Sequence, residues 1–172
     1  MSLEVDSITD LSNVSGVLPV ANGGSAAAVG KANYQAQPSN PTAPNSTASF
    51  TMQGLAGTIT PTVTGVVLLI ITGSMHSTTV TAGDGILIQA SYGTGAAPTT
   101  NAALTGTQKG AIIEYANANT VIVADTFVPF TVTVVITGLT LNVATWLDLA
   151  AKSVATASSV GLVNVSISAI EI

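Results

Sequence analysis

The chain has 172 residues, 47% of them hydrophobic and only 6% charged, with a formal charge of −5 and no cysteine. That length supports one domain with a buried core and an appendage. The three lysines, Lys31, Lys109 and Lys152, make no basic surface, which excludes nucleic acid as a partner, and the missing cysteines exclude disulfides and thiolate metal sites.

High hydropathy here does not predict membrane insertion. The strongly apolar run at 66–71 is far shorter than the ~20 residues a spanning helix needs. No basic flank precedes an apolar stretch near Met1, so a secretory signal is not expected. A nearly neutral, apolar body tends instead to associate with its own copies.

Residues 1–30 read as an appendage. Leu3, Val5, Ile8, Leu11, Val14, Val17 and Leu18 recur at spacings that fit neither helix nor strand, and identical chains wound into a thin shaft would bury them. Residues 31–47 (KANYQAQPSNPTAPNST) read as a linker, because Pro38, Pro41 and Pro44 favour an extended, semi-rigid backbone.

Beyond residue 48 the composition shifts to Thr, Val, Ile, Gly and Ala. Strands are predicted at 48–55, 66–72, 86–92, 111–116, 120–124, 130–137, 146–152 and 162–172, an all-β sandwich over 48–172. In 130–137, Phe130, Val132, Val134 and Ile136 share one face and threonines the other. In the last strand Val163, Val165 and Ile167 share one parity while Ile170 and Ile172 take the other. This predicts either a bulge near Ala169 or a strand end buried on both faces. The run 66–71 lacks polar alternation, so it is expected to be either a central strand covered on both sides or one with a face in the core and a face against a neighbouring subunit. Residues 141–157 carry a helical stripe, yet strand is favoured by the β elements around them.

Chemistry-bearing patterns are scarce. His76 is the one histidine, and no HxH, HxxxH or HExxH spacing accompanies it. It reads as a loop or strand-edge residue, with a metal or anion site at a threefold axis as the sharper alternative. No GxSxG occurs. A glycosidase pair would have to come from Asp84, Glu114, Asp125 and Asp148. Asp84 sits in a hairpin-turn signal and Asp125 in a turn, while Glu114 and Asp148 read as solvated or lysine-paired strand residues. No enzyme and no cofactor is expected. The best candidate binding surface, for a glycan or receptor, is the 93–110 loop with Tyr92, Thr99, Thr100, Asn101, Gln108 and Lys109. The alternative for Tyr92 and Trp146 is a place in the core.

Three stretches carry a family resemblance. Gly16-Val17-Leu18-Pro19-Val20-Ala21-Asn22-Gly23-Gly24 resembles a phrase that recurs in bacteriophage tail fibres, with Ser25 where the phrase usually has Thr. The stretch 58–65 (TITPTVTG), followed by VVLLIITG, is similar to the entry into a core strand in phage virion domains and in tumour-necrosis-factor-like jelly rolls. The stretch 92–107 is similar to a segment of phage tail-associated domains, and the likeness continues to Ile172.

The resemblance implies a virion structural protein whose β-sandwich is a jelly roll, with an immunoglobulin or fibronectin-like sandwich as the alternative suggested by the ITGLT sequence at 136–140. The implied function is a tail fibre or receptor-binding knob in host adhesion, made in the host cytoplasm and carried on the virion. It would be a homotrimer, joined to other virion proteins through residues 1–30. Alternatives are a capsid decoration protein and a carbohydrate-binding module of a bacterial surface protein.

Overall fold

The computed structural model describes residues 31–77, 83–115 and 125–172. The expected shaft segment 1–30 and the expected strand 120–124 lie outside them. The described residues form nine strands: β1 (Asn33–Ala36), β2 (Thr51–Met52), β3 (Gly57–Ile59), β4 (Val67–Ser77), β5 (Ile86–Thr94), β6 (Thr107–Glu114), β7 (Phe127–Ile136), β8 (Thr145–Ser153) and β9 (Val160–Glu171). They make two antiparallel sheets packed as a sandwich. One has the order β1-β9-β4-β7; the other has β2-β8-β5-β6, with β3 also on β8.

The pairings nest. β1 pairs with β9, β2 with β8, β4 with β7 and β5 with β6, all antiparallel. Each early strand therefore meets a late one, and the chain passes repeatedly between the sheets. This corrects one expectation. Gly83 does take a turn conformation (φ +85°), but β4 and β5 lie in different sheets, so Asp84 belongs to a crossover and not to a hairpin.

The core lies between the sheets, where Val67, Leu69, Ile71, Ile88, Val132, Ile136, Leu147, Leu149 and Ile167 are buried. Burial alternates along β4 and β7 as the period-2 pattern requires. The stripe Phe130, Val132, Val134 and Ile136 faces inward as expected. Residues 141–157 contribute β8, a strand with eight of its nine residues buried. The helical stripe in this segment loses because β8 lies between β2 and β5 and its backbone pairs on both sides.

The parity change in β9 falls elsewhere than predicted. Thr72 pairs with Ser166 and Ser74 with Val163, so Val165 and Asn164 together oppose Gly73. Asn164 has φ +52° and its N–H donates to Asn40 Oδ1 at 2.8 Å. Asparagine tolerates this left-handed backbone, and a Cβ on Gly73 would sit 2.9 Å from the Phe130 ring. The bulge is therefore at Asn164, not Ala169. Beyond it Val165, Ile167, Ala169 and Glu171 point inward, while Ile170 and Ile172 are exposed.

Part of the stretch expected to be a spacer is sheet. Asn33–Ala36 pairs with β9, the Pro44 carbonyl accepts from Ser158 N–H and Ser153 Oγ, and the Ser46 carbonyl accepts from Ser153 N–H. On this edge strand Tyr34 and Ala36 pack against the core while Asn33 and Gln35 are exposed.

Candidate functional site

Sequence separates Tyr92 and the 93–110 residues from β8, but the fold stacks them on it. Leu147, Leu149 and Ala151 face the core, which turns Trp146, Asp148, Ala150 and Lys152 to the other side of the sheet. The chain covers that outer side itself. Met52, Trp146 and Ala150 form a second apolar cluster with Phe50 and Ala102 against it, and Lys152 Nζ lies 5.6 Å from the Phe50 ring centroid.

Trp146 is the centre of this cover. Its Nε1 donates to the Thr94 carbonyl at 3.2 Å. Gly93 lies beneath the indole, and a Cβ there would come within 2.5 Å of Cζ2. Gly106 (φ +75°) leaves no room for a side chain against the same ring. The indole is thus packed, not presented.

The residues expected to bind a ligand divide between the two sides of the sheet. Tyr92 packs, half-buried, against the main core, in register with Leu147. Thr100 Oγ1 donates to the Gln53 carbonyl at 3.0 Å. Asn101, at φ +61°, accepts from Asn45 N–H (3.1 Å) and Thr51 Oγ1 (3.2 Å) through Oδ1, and donates from Nδ2 to the Ala43 carbonyl (3.2 Å). Gln108 Nε2 donates to the Thr105 and Gly106 carbonyls. Thr99 is exposed and its carbonyl accepts from Ala102 N–H. Lys109 is half-buried on β6, opposite Ala90. The fold brings Thr99, Thr100 and Asn101 together over β2 and spends the Thr100 and Asn101 side chains on bracing it; Tyr92 faces the other way.

Two carboxylates that sequence reasoning underrated are buried. Asp148, expected to be solvated or lysine-paired, instead accepts backbone N–H donors from Gly54 (2.9 Å), Leu55 (3.0 Å) and Leu149 (2.8 Å). Burial pushes its pKa up to about 6, and those three donors oppose the rise. Nearby in sequence to its donors, the buried Gln53 Oε1 has no hydrogen-bond partner.

Glu171 is the other. Its Oε2 accepts from Ala32 N–H (3.0 Å) and Thr62 N–H (2.9 Å), and its Oε1 from the N–H groups of Val63 (2.7 Å), Thr64 and Gly65 (3.2 Å). Burial alone would raise its pKa, but the combined backbone donors win and hold the carboxyl well below the usual range. Successive N–H groups of 62–65 form an anion-binding nest, and the chain fills it with its own side chain. The TITPTVTG stretch is therefore a receptor for Glu171, a role invisible in its composition.

Among the other acids, Asp84 is buried and accepts from Thr156 N–H at 2.9 Å, while Glu114 is exposed on β6. His76 stacks on Phe127 (centroids 4.6 Å apart, planes at 18°), and its Nε2 lies 3.2 Å from Asp125 Oδ1. Among the described residues no three His, Asp or Glu side chains gather as a metal site. No protein-family model matches the chain, and no curated protein matches its sequence.

Proposed function

We propose that this chain is a non-enzymatic structural protein of a bacteriophage particle, a tail-fibre or receptor-binding knob that assembles as a homotrimer and acts in host adhesion. The observation that carries the reading is the nested strand order. Sheets β1-β9-β4-β7 and β2-β8-β5-β6, with first strand on last, are what rolling up one long folded ribbon produces. This order supports the jelly-roll reading, an architecture shared by viral capsid and lectin domains. An immunoglobulin-like sandwich does not place its first strand on its last in this way.

The fibre-like phrase at 16–24 supports the particle assignment, and residues 1–30 are the attachment segment in this reading. The buried carboxylates support a scaffold rather than a reaction centre, because Asp148 and Glu171 both hold backbone N–H groups. Rigid subunits in a trimer multiply weak surface contacts.

Immunogold labelling of particles tests the assignment. Gold on a tail appendage is expected. Gold confined to heads would replace the fibre with a decoration protein, and unlabelled particles would overturn the virion reading. Light scattering of the purified chain tests the assembly, and a monomer at micromolar concentration would overturn it.

A further inference from the structure

The two sheets treat their outer faces differently. The β2-β8-β5-β6 sheet is covered by its own chain through Phe50, Met52, Ala102 and Trp146. On the β1-β9-β4-β7 sheet the outward residues of β4 are Leu68, Ile70, Thr72, Ser74 and His76. Leu68 pairs with Val135 on one side and Ile170 on the other, an apolar row across three strands. Val135 and Ile170 are 42% and 47% exposed. The next row, Ile70 with Thr133 and Ser168, is uncharged too.

These four strands contain no lysine or arginine, and their single carboxylate, Glu171, points inward into its nest. Exposed sheets usually carry charges that keep other chains away. With strands ~4.8 Å apart and ~3.3 Å per residue, the three long strands present a flat area on the order of 500 Å². That is the larger part of the about 800 Å² each partner buries in a standard interface. Away from His76 and its neighbour Asp125 at the far end of β4, the rows around Leu68 and Ile70 carry no charge to repel a second copy or to select an acidic or basic partner.

We infer that this face, centred on Leu68, Val135 and Ile170, is where a second copy of the chain packs. The inference rests on the assembly reading above and names the surface that reading leaves open. It also resolves the run 66–71: one side of β4 belongs to the core and the other to a neighbouring subunit.

The test compares light scattering of the full chain with Val135→Lys/Ile170→Lys and with Ile112→Lys, a residue 50% exposed on β6 of the other sheet. Circular dichroism checks that each variant folds. The parent is expected to be oligomeric, the double variant to need at least tenfold more protein to assemble, and Ile112→Lys to behave as the parent. An oligomer indifferent to Val135→Lys/Ile170→Lys overturns the face and leaves the trimer standing; a monomeric parent overturns both. Should the lysine variant not fold, a single milder change offers a second route. Ser168→Asp, in the second row, is expected to weaken assembly, and Thr107→Asp on β6 is not. Assembly weakened by Thr107→Asp alone would overturn the proposal.

Discussion

Glu171 accepts the backbone N–H of Val63 at 2.7 Å, across 108 residues of sequence. The same carboxylate reaches Ala32 beside β1 and the whole 62–65 turn before β4. One side chain thereby ties together the entries to two strands of one sheet. Glu171→Gln is expected to lower the melting temperature by several degrees. Its amide has one acceptor oxygen, and its NH₂ would face N–H donors. Glu171→Ala should lower it further, since every donor then loses its partner in a buried place. Thermal unfolding followed by circular dichroism reads the effect, and melting unchanged by Glu171→Gln would refute the latch.

Asp148 and Glu171 together predict an unusual pH profile. Asp148 has its folded pKa raised to about 6, so the folded state holds more protons than the unfolded chain between pH 4 and 6. Stability therefore rises as the pH is lowered from 7, by about 1 kcal/mol by pH 5 and approaching about 3 kcal/mol only below pH 4 for a shift of this size. Glu171 has the opposite sign. Its folded pKa is depressed, so its contribution is present above the unfolded carboxyl pKa and is lost progressively as the pH falls below it. Stability should peak between pH 4 and 5. Denaturant titrations across the range check this, and Asp148→Asn should remove the rise between pH 7 and 5 while keeping the fall below pH 4. A flat profile in the parent from pH 7 to 5 would contradict it.

The strands carrying periodic apolar residues were legible before any coordinates, because Phe130 to Ile136 or Val66 to Ile71 have few other ways to be buried. β1 was hidden: its alternation of Tyr34 and Ala36 with Asn33 and Gln35 is only four residues long, beside spacer-like prolines, and its strand conformation rests on pairing with β9. The bulge at Asn164 could have been anticipated, since Asn is a residue that enters left-handed backbone without a large penalty. The environments of Asp148 and Glu171 could not. Their partners are backbone N–H groups, which every residue has, brought there by strands about a hundred positions away. The same blindness affected the 93–110 loop. Thr100 and Asn101 look like surface hydrogen-bonding groups in sequence, and only the pairing of β2 with β8 shows what they hold.

The indole cover makes two glycines unequal. Gly106→Ala would place a methyl against the Trp146 ring with the backbone already at φ +75°, whereas Gly95 (φ +84°) has open space around it. Gly106→Ala should destabilise much more than Gly95→Ala, which carries the left-handed backbone cost alone, roughly 1–2 kcal/mol. Trp146→Ala should cost ~3–5 kcal/mol as a buried aromatic truncation. Trp146 is the chain's one tryptophan, so its fluorescence reports the cover directly. The folded parent should emit at shorter wavelength than the unfolded chain, and Gly106→Ala should move the folded emission towards that of solvent-exposed indole. Equal melting of the two alanine variants would show that the indole does not pack as described.

Asn101 separates a brace from a binding residue. Its side chain makes contacts to Asn45, Thr51 and Ala43, and its N–H donates to the Met52 carbonyl at 2.7 Å. Asn101→Ala removes the side-chain bonds and puts alanine into left-handed backbone, which together should cost about 2–4 kcal/mol. Asn101→Gly relieves the backbone but restores none of the bonds, so it should recover only part of the loss. Thr99→Ala, at an exposed side chain in the same turn, should stay within about 0.5 kcal/mol of the parent. Denaturant midpoints order the three variants. If Asn101→Ala unfolds at the parent's midpoint, the amide is not holding the 31–47 stretch to β2, and it becomes available for a ligand after all.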